Sequence, residues 1–208
     1  ETLYAQWAAN TYTIKFNGNG ATGGSMADLS MTYDTAKNLT SNAFTRTGYT
    51  FFGWSTNKDA TTQSYTNGQS VNNLTATNGG TVNLYALWRK TITVTYNANG
   101  GSGAPGASSG TLYNAQPSVS ITLSGTKPTR TGYTFVGWNT SSTATTVSHK
   151  PSTAYSFSGD TTLYAVWDAN SYTLTVNPSG GTWNGSTNSQ NFTQDYGTTK
   201  TIANPTPP

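Results

Sequence analysis

Short segments of alternating apolar and polar residues return along the chain every 80 residues. Residues 12–16, 91–96 and 172–176 alternate with a period of two, which is typical of a half-buried β-strand. Each segment is followed by a cluster of Asn and Gly, joined by Pro and Ser in the third, and such clusters favour tight turns. The pattern therefore predicts a β protein in which the same strand and turn occur three times.

The first period contains further segments of this kind. They predict strands at residues 29–33, 49–54, 69–71 and 82–88. Residues 34–39 instead predict a short helix, because Asp34 is a good N-cap residue. Gly53 lies inside a predicted strand, where glycine indicates a β-bulge or a close approach of another backbone.

The second and third periods follow the same order with one difference. Residues 116–123 predict a strand where the first period predicts a helix. The remaining predicted strands lie at residues 130–138, 161–167 and 191–196. We therefore expect a mainly β chain, α+β at most.

Two motifs recur almost unchanged. Thr-Arg-Thr-Gly-Tyr-Thr-Phe-x-Gly-Trp occupies residues 45–54 and 129–138, and the two copies differ only where Val136 replaces Phe52. The second motif, Leu-Tyr-Ala-x-Trp, occupies residues 3–7, 84–88 and 163–167. Similarity of a chain to itself at a fixed period is typical of a repeat architecture.

The motifs divide the chain into tandem repeats. The predicted boundaries are residues 1–7 for the last strand of a preceding repeat, 8–88 and 89–167 for two repeats, and 168–208 for the first half of a further repeat. We expect this chain to be a piece of a longer one. The predicted links, residues 8–10, 89–90 and 168–170, are short. Because a repeat of this size is roughly 30 Å across, we expect an elongated, semi-rigid rod.

A strand such as residues 2–7, standing alone, exposes unpaired backbone and aromatic rings. We expect such a strand to be ordered only against a partner. The predicted partners are neighbouring repeats of the same chain or of an adjacent chain, joined by strand addition.

Composition narrows the classes of function. Apolar residues are 33% of the chain and aromatic residues 12%, so large rings supply core area that aliphatic side chains do not. The net charge is only +3, and the ten Lys and Arg residues are scattered, which excludes the clustered cations that nucleic acids require. The chain contains no Cys and no apolar stretch long enough to cross a membrane.

The residues able to do acid, base or metal chemistry do not form a pattern. The seven carboxylates do not recur at equivalent positions of the two full repeats, and His149 is the only histidine. A single loop histidine is far more often exposed to solvent than catalytic. We therefore expect no enzyme activity, no metal and no cofactor.

The recurrent aromatic residues allow two interpretations. They either form the core of each repeat or stack on sugar rings, and the core is favoured because a repeat of about 80 residues needs its largest apolar groups inside. The predicted core residues are Tyr49, Phe51, Trp54, Trp88, Tyr133, Phe135, Trp138 and Trp167.

Three residues are candidates for contact with a partner. Trp183 lies in a predicted loop without a counterpart in the earlier repeats, so we expect its ring to be exposed. Arg46 and Arg130 recur and either bind a carboxylate or glycan of a partner, or serve their own repeat by covering an aromatic ring or bonding backbone carbonyls, and the structural role is favoured.

The combination of Asn-x-Asn-Gly after the first strand with both recurring motifs resembles the Listeria/Bacteroides repeat family, which includes the B-repeat of internalin B. The resemblance covers nearly the whole chain. It implies a β-grasp fold, in which a small sheet packs around a short helix or helix-like crossing, and a place in bacterial surface or secreted proteins. It supplies no catalytic residues.

The expected function is a non-enzymatic stalk, spacer or fibre segment of a bacterial extracellular or cell-surface protein. The alternative is an adhesin module that binds host or cell-wall glycans or proteins through its loops.

Overall fold

The computed structural model describes residues 1–114, 116–204 and 206–207. Residues 115, 205 and 208, which fall inside the predicted repeats, lie outside this description. The described residues form strands and no helix, which confirms a mainly β fold built from tandem repeats. The strands are β1 (Thr11–Asn17), β2 (Leu29–Thr32), β3 (Lys37–Asn38), β4 (Thr50–Ser55), β5 (Ser70–Val71), β6 (Gly80–Asn97), β7 (Ser108–Tyr113), β8 (Val119–Thr122), β9 (Tyr133–Asn139), β10 (Ala154–Phe157), β11 (Thr161–Ala169), β12 (Ser171–Val176) and β13 (Gln190–Asp195).

The chain divides into two compact units. The first comprises Glu1–Ile92 and Gly110–Val119, and the second comprises Thr93–Ser109 and Ser120–Pro208. A segment from the sequence of the second repeat, Gly110–Val119, thus belongs to the compact unit of the first repeat.

A mixed sheet organises the first unit. β1 pairs with β2 in antiparallel fashion and with β6 in parallel fashion, and β4 pairs with β6 in antiparallel fashion. This order, with a parallel pair in the middle and antiparallel strands outside, is that of a β-grasp sheet. The alternate residues Tyr12 and Ile14 of β1 point into the core and are 2% and 0% exposed.

The helix predicted at residues 34–39 is wrong. Asp34 has a φ of 58°, and its carboxylate accepts a hydrogen bond from Asn73 Nδ2 at 2.7 Å rather than from a helical N–H group. Lys37 and Asn38 form β3, which pairs with β5. Leu39 is buried next to this ladder, so tertiary contacts prevail over the local N-cap signal.

The bulge predicted at Gly53 is confirmed. The register between β4 and β6 shifts between Phe51 and Gly53. Gly53 has a φ of 155°, and a Cβ atom there would lie 2.8 Å from the carbonyl oxygen of Tyr65. Only glycine fits a backbone so close to its neighbour.

The second unit repeats the parallel pairing and adds two small sheets. β11 pairs in parallel with the last residues of β6 and in antiparallel fashion with β9. β8 pairs with β10, and β12 pairs with β13. The strand predicted at residues 116–123 is shorter in the structure, and β7 and β10 have no predicted counterpart.

Two of the predicted links lie wholly or partly inside strands. Arg89 and Lys90 are internal residues of β6, and Asp168 and Ala169 end β11. In contrast, residues 2–7 form no strand, and Leu3, Tyr4 and Trp7 are 90%, 80% and 91% exposed.

Candidate functional site

The predicted core residues lie in the interior or at its edge. Trp54 and Trp138 are completely buried and Trp88 is 1% exposed. The half-buried members of the set are Tyr49, Phe51, Tyr133, Phe135 and Trp167. The three buried tryptophans are closed to a sugar, and the other five rings are partly covered by the protein.

The two central tryptophans pack against equivalent rings. Trp54 lies 4.9 Å from Phe16 and 5.1 Å from Phe51, measured between ring centroids. Trp138 lies 4.9 Å from both Tyr96 and Phe135. These tilted and edge-to-face contacts are the preferred geometries for aromatic pairs. The indole nitrogens of Trp54 and Trp138 are both buried without a hydrogen-bond partner.

The recurring Thr-Arg-Thr-Gly-Tyr sequence forms a turn that brings its arginine back onto its tyrosine. The N–H of Tyr49 donates to the carbonyl of Arg46 at 3.0 Å, and Gly48 supplies the φ of 76° that the third turn position requires. The Arg46 guanidinium carbon then lies 4.0 Å from the Tyr49 ring centroid. This is close enough for a favourable cation–π interaction.

The second copy has the same geometry. The Arg130 guanidinium carbon lies 3.9 Å from the Tyr133 ring centroid. In both repeats the guanidinium also lies beside a glycine of the Asn-x-Asn-Gly turn, Gly20 or Gly100. Each arginine therefore joins two turns of its own repeat, the Thr-Arg-Thr-Gly-Tyr turn and the Asn-x-Asn-Gly turn. This is a structural role.

Asn19 and Asn99 have a role that the sequence alone does not indicate. Both adopt a positive φ, 46° and 48°. The Nδ2 of Asn19 donates to the carbonyls of Lys58 and Ala86, at 2.8 and 2.9 Å. The Nδ2 of Asn99 donates to two carbonyls at equivalent places, at 2.8 and 3.0 Å. One asparagine therefore ties a turn to a loop and to the last strand of its repeat.

The expectation that Trp183 is exposed is wrong. Its ring is 5% exposed and lies 5.9 Å from Phe192 between ring centroids. Its backbone forms two hydrogen bonds with Ser186, and Gln190 Nε2 donates to its carbonyl. These contacts fold the loop so that the indole covers the hairpin β12–β13.

His149 is half-buried between two aromatic rings. Its imidazole lies 4.6 Å from Tyr155 and 5.9 Å from Phe157, measured between centroids. Ser148 Oγ lies 2.7 Å from its Nδ1. Burial lowers the pKa of His149, because the charged form loses hydration. Among the described residues, no carboxylate or other metal ligand joins it in a metal-binding group.

The described residues do not bring titratable groups together. Across these residues no group of three His, Cys, Asp or Glu side chains could hold a metal ion. The one ion pair among them, between Lys58 and Asp59, joins chain neighbours that are each more than half exposed. No pocket is present within either unit as described. None of the described residues forms an apolar helix of membrane-spanning length.

One set of contacts within the first unit joins residues from the sequences of successive repeats. We call it the first seam; it consists of Phe52, Trp88, Arg89, Tyr113 and Asn114. The N–H of Asn114 donates to the Trp88 carbonyl at 2.8 Å, and the N–H of Trp88 donates to Asn114 Oδ1 at 2.9 Å. Asn114 is 4% exposed, so these bonds are protected from water.

Aromatic contacts extend the first seam. The Tyr113 ring lies 5.4 Å from that of Phe52 in an edge-to-face arrangement. The Asn114 Nδ2 also donates to the carbonyl of Ala60 at 2.5 Å. A segment from the second repeat's sequence thus completes the packing and hydrogen bonding of the first repeat.

A second seam, formed by other positions of the repeat, joins residues of the second repeat and the third period within the second unit. The Tyr196 ring lies 5.6 Å from that of Tyr133 and covers Gly132. Asn170 donates its N–H to the Gly132 carbonyl at 2.9 Å, and its own carbonyl accepts a bond from the N–H of Tyr196 at 2.9 Å. The side chain of Asn170 also accepts a bond from Thr134 Oγ1 at 2.7 Å.

Comparison with known families finds the Listeria-Bacteroides repeat domain twice, at residues 12–87 and 93–166. Both matches contain the first recurring motif and the asparagine-bearing turn, and each ends one residue before the Trp that closes the second motif.

Two curated proteins of Evansella cellulosilytica are similar to this chain. One, named "Putative Gly-rich membrane protein", is 31% identical over 190 residues, which are 87% of this chain and 20% of the relative. The other, named "Putative membrane protein", is 29% identical over 209 residues, which are 100% of this chain and 27% of the relative. The chain therefore spans about a fifth to a quarter of the length of these relatives. No solved structure matches.

Proposed function

Because this chain belongs to the Listeria-Bacteroides repeat family, we propose that it is a non-enzymatic stalk, spacer or fibre segment of a bacterial extracellular or cell-surface protein. Its role is to hold other parts of that protein at a set distance. The close packing of each compact unit, which includes residues from the sequence of the next repeat, supports this role.

The observation that carries this proposal is the first seam. Two domains joined by a flexible linker move independently by default. Here Asn114 forms buried hydrogen bonds to the backbone of Trp88 and Ala60, and Tyr113 packs on Phe52. All of these residues belong to the first compact unit, so the sequence of the second repeat contributes to that unit, which supports a spacer made of linked repeats.

The surface location is supported by the relatives. Both are named as membrane proteins of a bacterium, and both are several times longer than this chain. Such length is consistent with a repeat segment that lies between other parts of a surface protein. Trp54, Trp138 and Trp183 are packed inside, so these three tryptophans are not available for the sugar stacking that an adhesin uses.

A distance measurement between consecutive repeats tests the proposal. The chain has no Cys, so spin labels attach only at introduced cysteines. Thr62→Cys and Thr140→Cys place labels on exposed positions of the first and second predicted repeats. Pulsed electron paramagnetic resonance is expected to give one narrow distance distribution.

The matched control carries the same labels together with Tyr113→Ser and Asn114→Ala. A spacer predicts that the distribution broadens in this variant. A broad distribution that is the same with and without the seam contradicts the proposal. Saturable binding of the unlabelled chain on a glycan array would instead favour the adhesin alternative.

A further inference from the structure

The first and last strands of the first repeat are neighbours in its sheet. β1 opens the repeat and residues 80–85 of β6 close it. The two strands run in parallel, from Tyr12 opposite Gly80 to Asn17 opposite Tyr85. This ladder therefore joins the place where the chain enters the repeat to the place where the chain leaves it.

The parallel direction decides how the ladder responds to tension. A force that stretches the repeat through its own chain pulls β1 backwards and β6 forwards, so it slides the two strands along each other. The hydrogen bonds of a parallel ladder are evenly spaced, so they share this load and must break together. A ladder that is pulled open from one end loses its bonds one at a time, which takes less force.

The ladder is built into the core of the first unit. Ile14 lies opposite Val82, and Phe16 lies opposite Leu84. Ile14 and Leu84 are completely buried, so water has little access to the backbone groups between them. A hydrogen bond that water cannot replace is costly to break.

Two side chains connect the far end of the ladder. The Nε1 of Trp88 donates to the carbonyl of Gly18 at 2.8 Å, and the Nδ2 of Asn19 donates to the carbonyl of Ala86 at 2.9 Å. Both bonds link the turn after β1 to β6. We call them the two cross-links; they resist the same sliding motion as the ladder.

The second repeat has the same arrangement within its own unit. Its first strand, residues 94–97 of β6, pairs in parallel with its last strand, β11. The Nε1 of Trp167 donates to the carbonyl of Ala98 at 3.0 Å, and the Nδ2 of Asn99 donates to the carbonyl of Ala165 at 3.0 Å. The ladder and the two cross-links are therefore features of the repeat itself.

We propose that each repeat is a mechanical clamp, in which the parallel ladder and its two cross-links resist unfolding when the chain is under tension. The source of that tension in the parent protein rests on the spacer function proposed above. The resistance itself depends only on the strand order and on the cross-links of each repeat.

Single-molecule force spectroscopy of the 208-residue chain tests the proposal, with handles on introduced cysteines. Ala8→Cys with Thr91→Cys stretches the first repeat through its own chain. The matched control, Ala8→Cys with Thr77→Cys, pulls at the end where both strands of the ladder begin. All three positions are exposed, so the variants keep the fold, which circular dichroism checks.

The expected result is a force of unfolding several-fold higher for the first pair of handles than for the control, at the same pulling speed. Forced unfolding is governed by the rate of unfolding, so this comparison measures the barrier that the clamp presents. The same fold is pulled in both cases, so a difference in overall stability cannot produce it.

Asn19→Gly tests the cross-links. It removes one of them and is expected to lower the unfolding force with handles at 8 and 91. The force with handles at 8 and 77 should not change, because opening there begins at the other end of the ladder.

Either of two results overturns the proposal. One is the same unfolding force for both pairs of handles in the chain that keeps Asn19. The other is an Asn19→Gly variant whose force with handles at 8 and 91 is unchanged, or falls only in the same proportion as the control. The spin-label distances test the spacer function separately, because they are measured without load and do not depend on the force of unfolding.

Discussion

Asn114 and Trp88 exchange two buried hydrogen bonds, although one lies in the sequence of the second repeat and the other ends a motif of the first. The backbone N–H of each residue donates to an oxygen of the other. Asn114 has a positive φ of 48°, and in this conformation its N–H group and its side-chain oxygen both face Trp88. The relationship means that the first repeat is completed by residues beyond its own last strand. A tandem array built this way couples the stability of neighbouring repeats.

Trp54→Ala tests the central aromatic cluster of the first repeat. Trp54 is completely buried against Phe16 and Phe51, so we expect the free energy of unfolding to fall by about 3–5 kcal/mol. Urea unfolding followed by circular dichroism measures the change. Trp7→Ala is the matched control, because that ring is 91% exposed and its loss should leave the monomer's stability unchanged.

Asn19→Ala tests the asparagine that ties three segments together. The substitution leaves the carbonyls of Lys58 and Ala86 without their donor and places alanine at a positive φ. We expect a loss of about 2–3 kcal/mol in urea unfolding. Asn19→Gly removes the same donor but tolerates the backbone angle, so it should be less harmful. If both variants unfold like the wild type, the bonds to Asn19 contribute nothing to stability.

Gly53→Ala tests the bulge in β4. A Cβ atom would collide with the side chain of Gln63 and lie 2.8 Å from the Tyr65 carbonyl oxygen, at a φ that favours glycine. The expected loss is more than about 1 kcal/mol in the free energy of unfolding. Gly106→Ala is the control, since a Cβ atom there meets nothing within 4 Å. Equal unfolding midpoints for the two variants would contradict the assigned role of Gly53.

Because the pKa of His149 is lowered in the folded state, we expect the stability of the second repeat to depend on pH. Burial lowers its pKa in the folded state below the value of the unfolded chain, about 6.5. The unfolded state therefore takes up the proton first as pH falls, and stability decreases below pH about 6.5 until the folded-state pKa is passed. Thermal unfolding at pH 7 and pH 5 is expected to show a smaller pH-dependent decrease for His149→Gln than for the wild type. If stability decreases equally in both proteins, titratable groups other than His149 cause the pH dependence and the prediction is wrong.

The strands are the part of the fold that the sequence predicts best. Their alternation is local, and a half-buried strand leaves that pattern wherever one face meets a core. The bulge at Gly53 is also predictable, because a glycine inside a strand weakens it and is typical of a bulge or a close backbone approach. The helix at residues 34–39 is a false prediction because the deciding contact of Asp34 is with Asn73, which lies 39 residues away.

The asparagines that hold the turns and the first seam together cannot be predicted from a local sequence pattern, as the strands can. Asn19 and Asn114 donate hydrogen bonds to carbonyl groups that are distant in sequence. The chain is rich in Asn, so its sequence does not show which asparagines have this role. For Trp183, a loop position with no counterpart in the earlier repeats predicts exposure. Its burial follows from Phe192 and from the hydrogen bonds that close the loop around it.

The coupling of consecutive repeats is tested most directly by hydrogen exchange in the Asn114→Ala variant. The substitution lies in the second repeat's sequence, but it leaves the buried N–H of Trp88 without an acceptor, which costs about 1–3 kcal/mol. We expect the amides of Ile14 and Leu84, in the core of the first repeat, to exchange at least several-fold faster than in the wild type. Unchanged exchange at these amides would show that the first repeat is stable without the seam and would contradict the coupling.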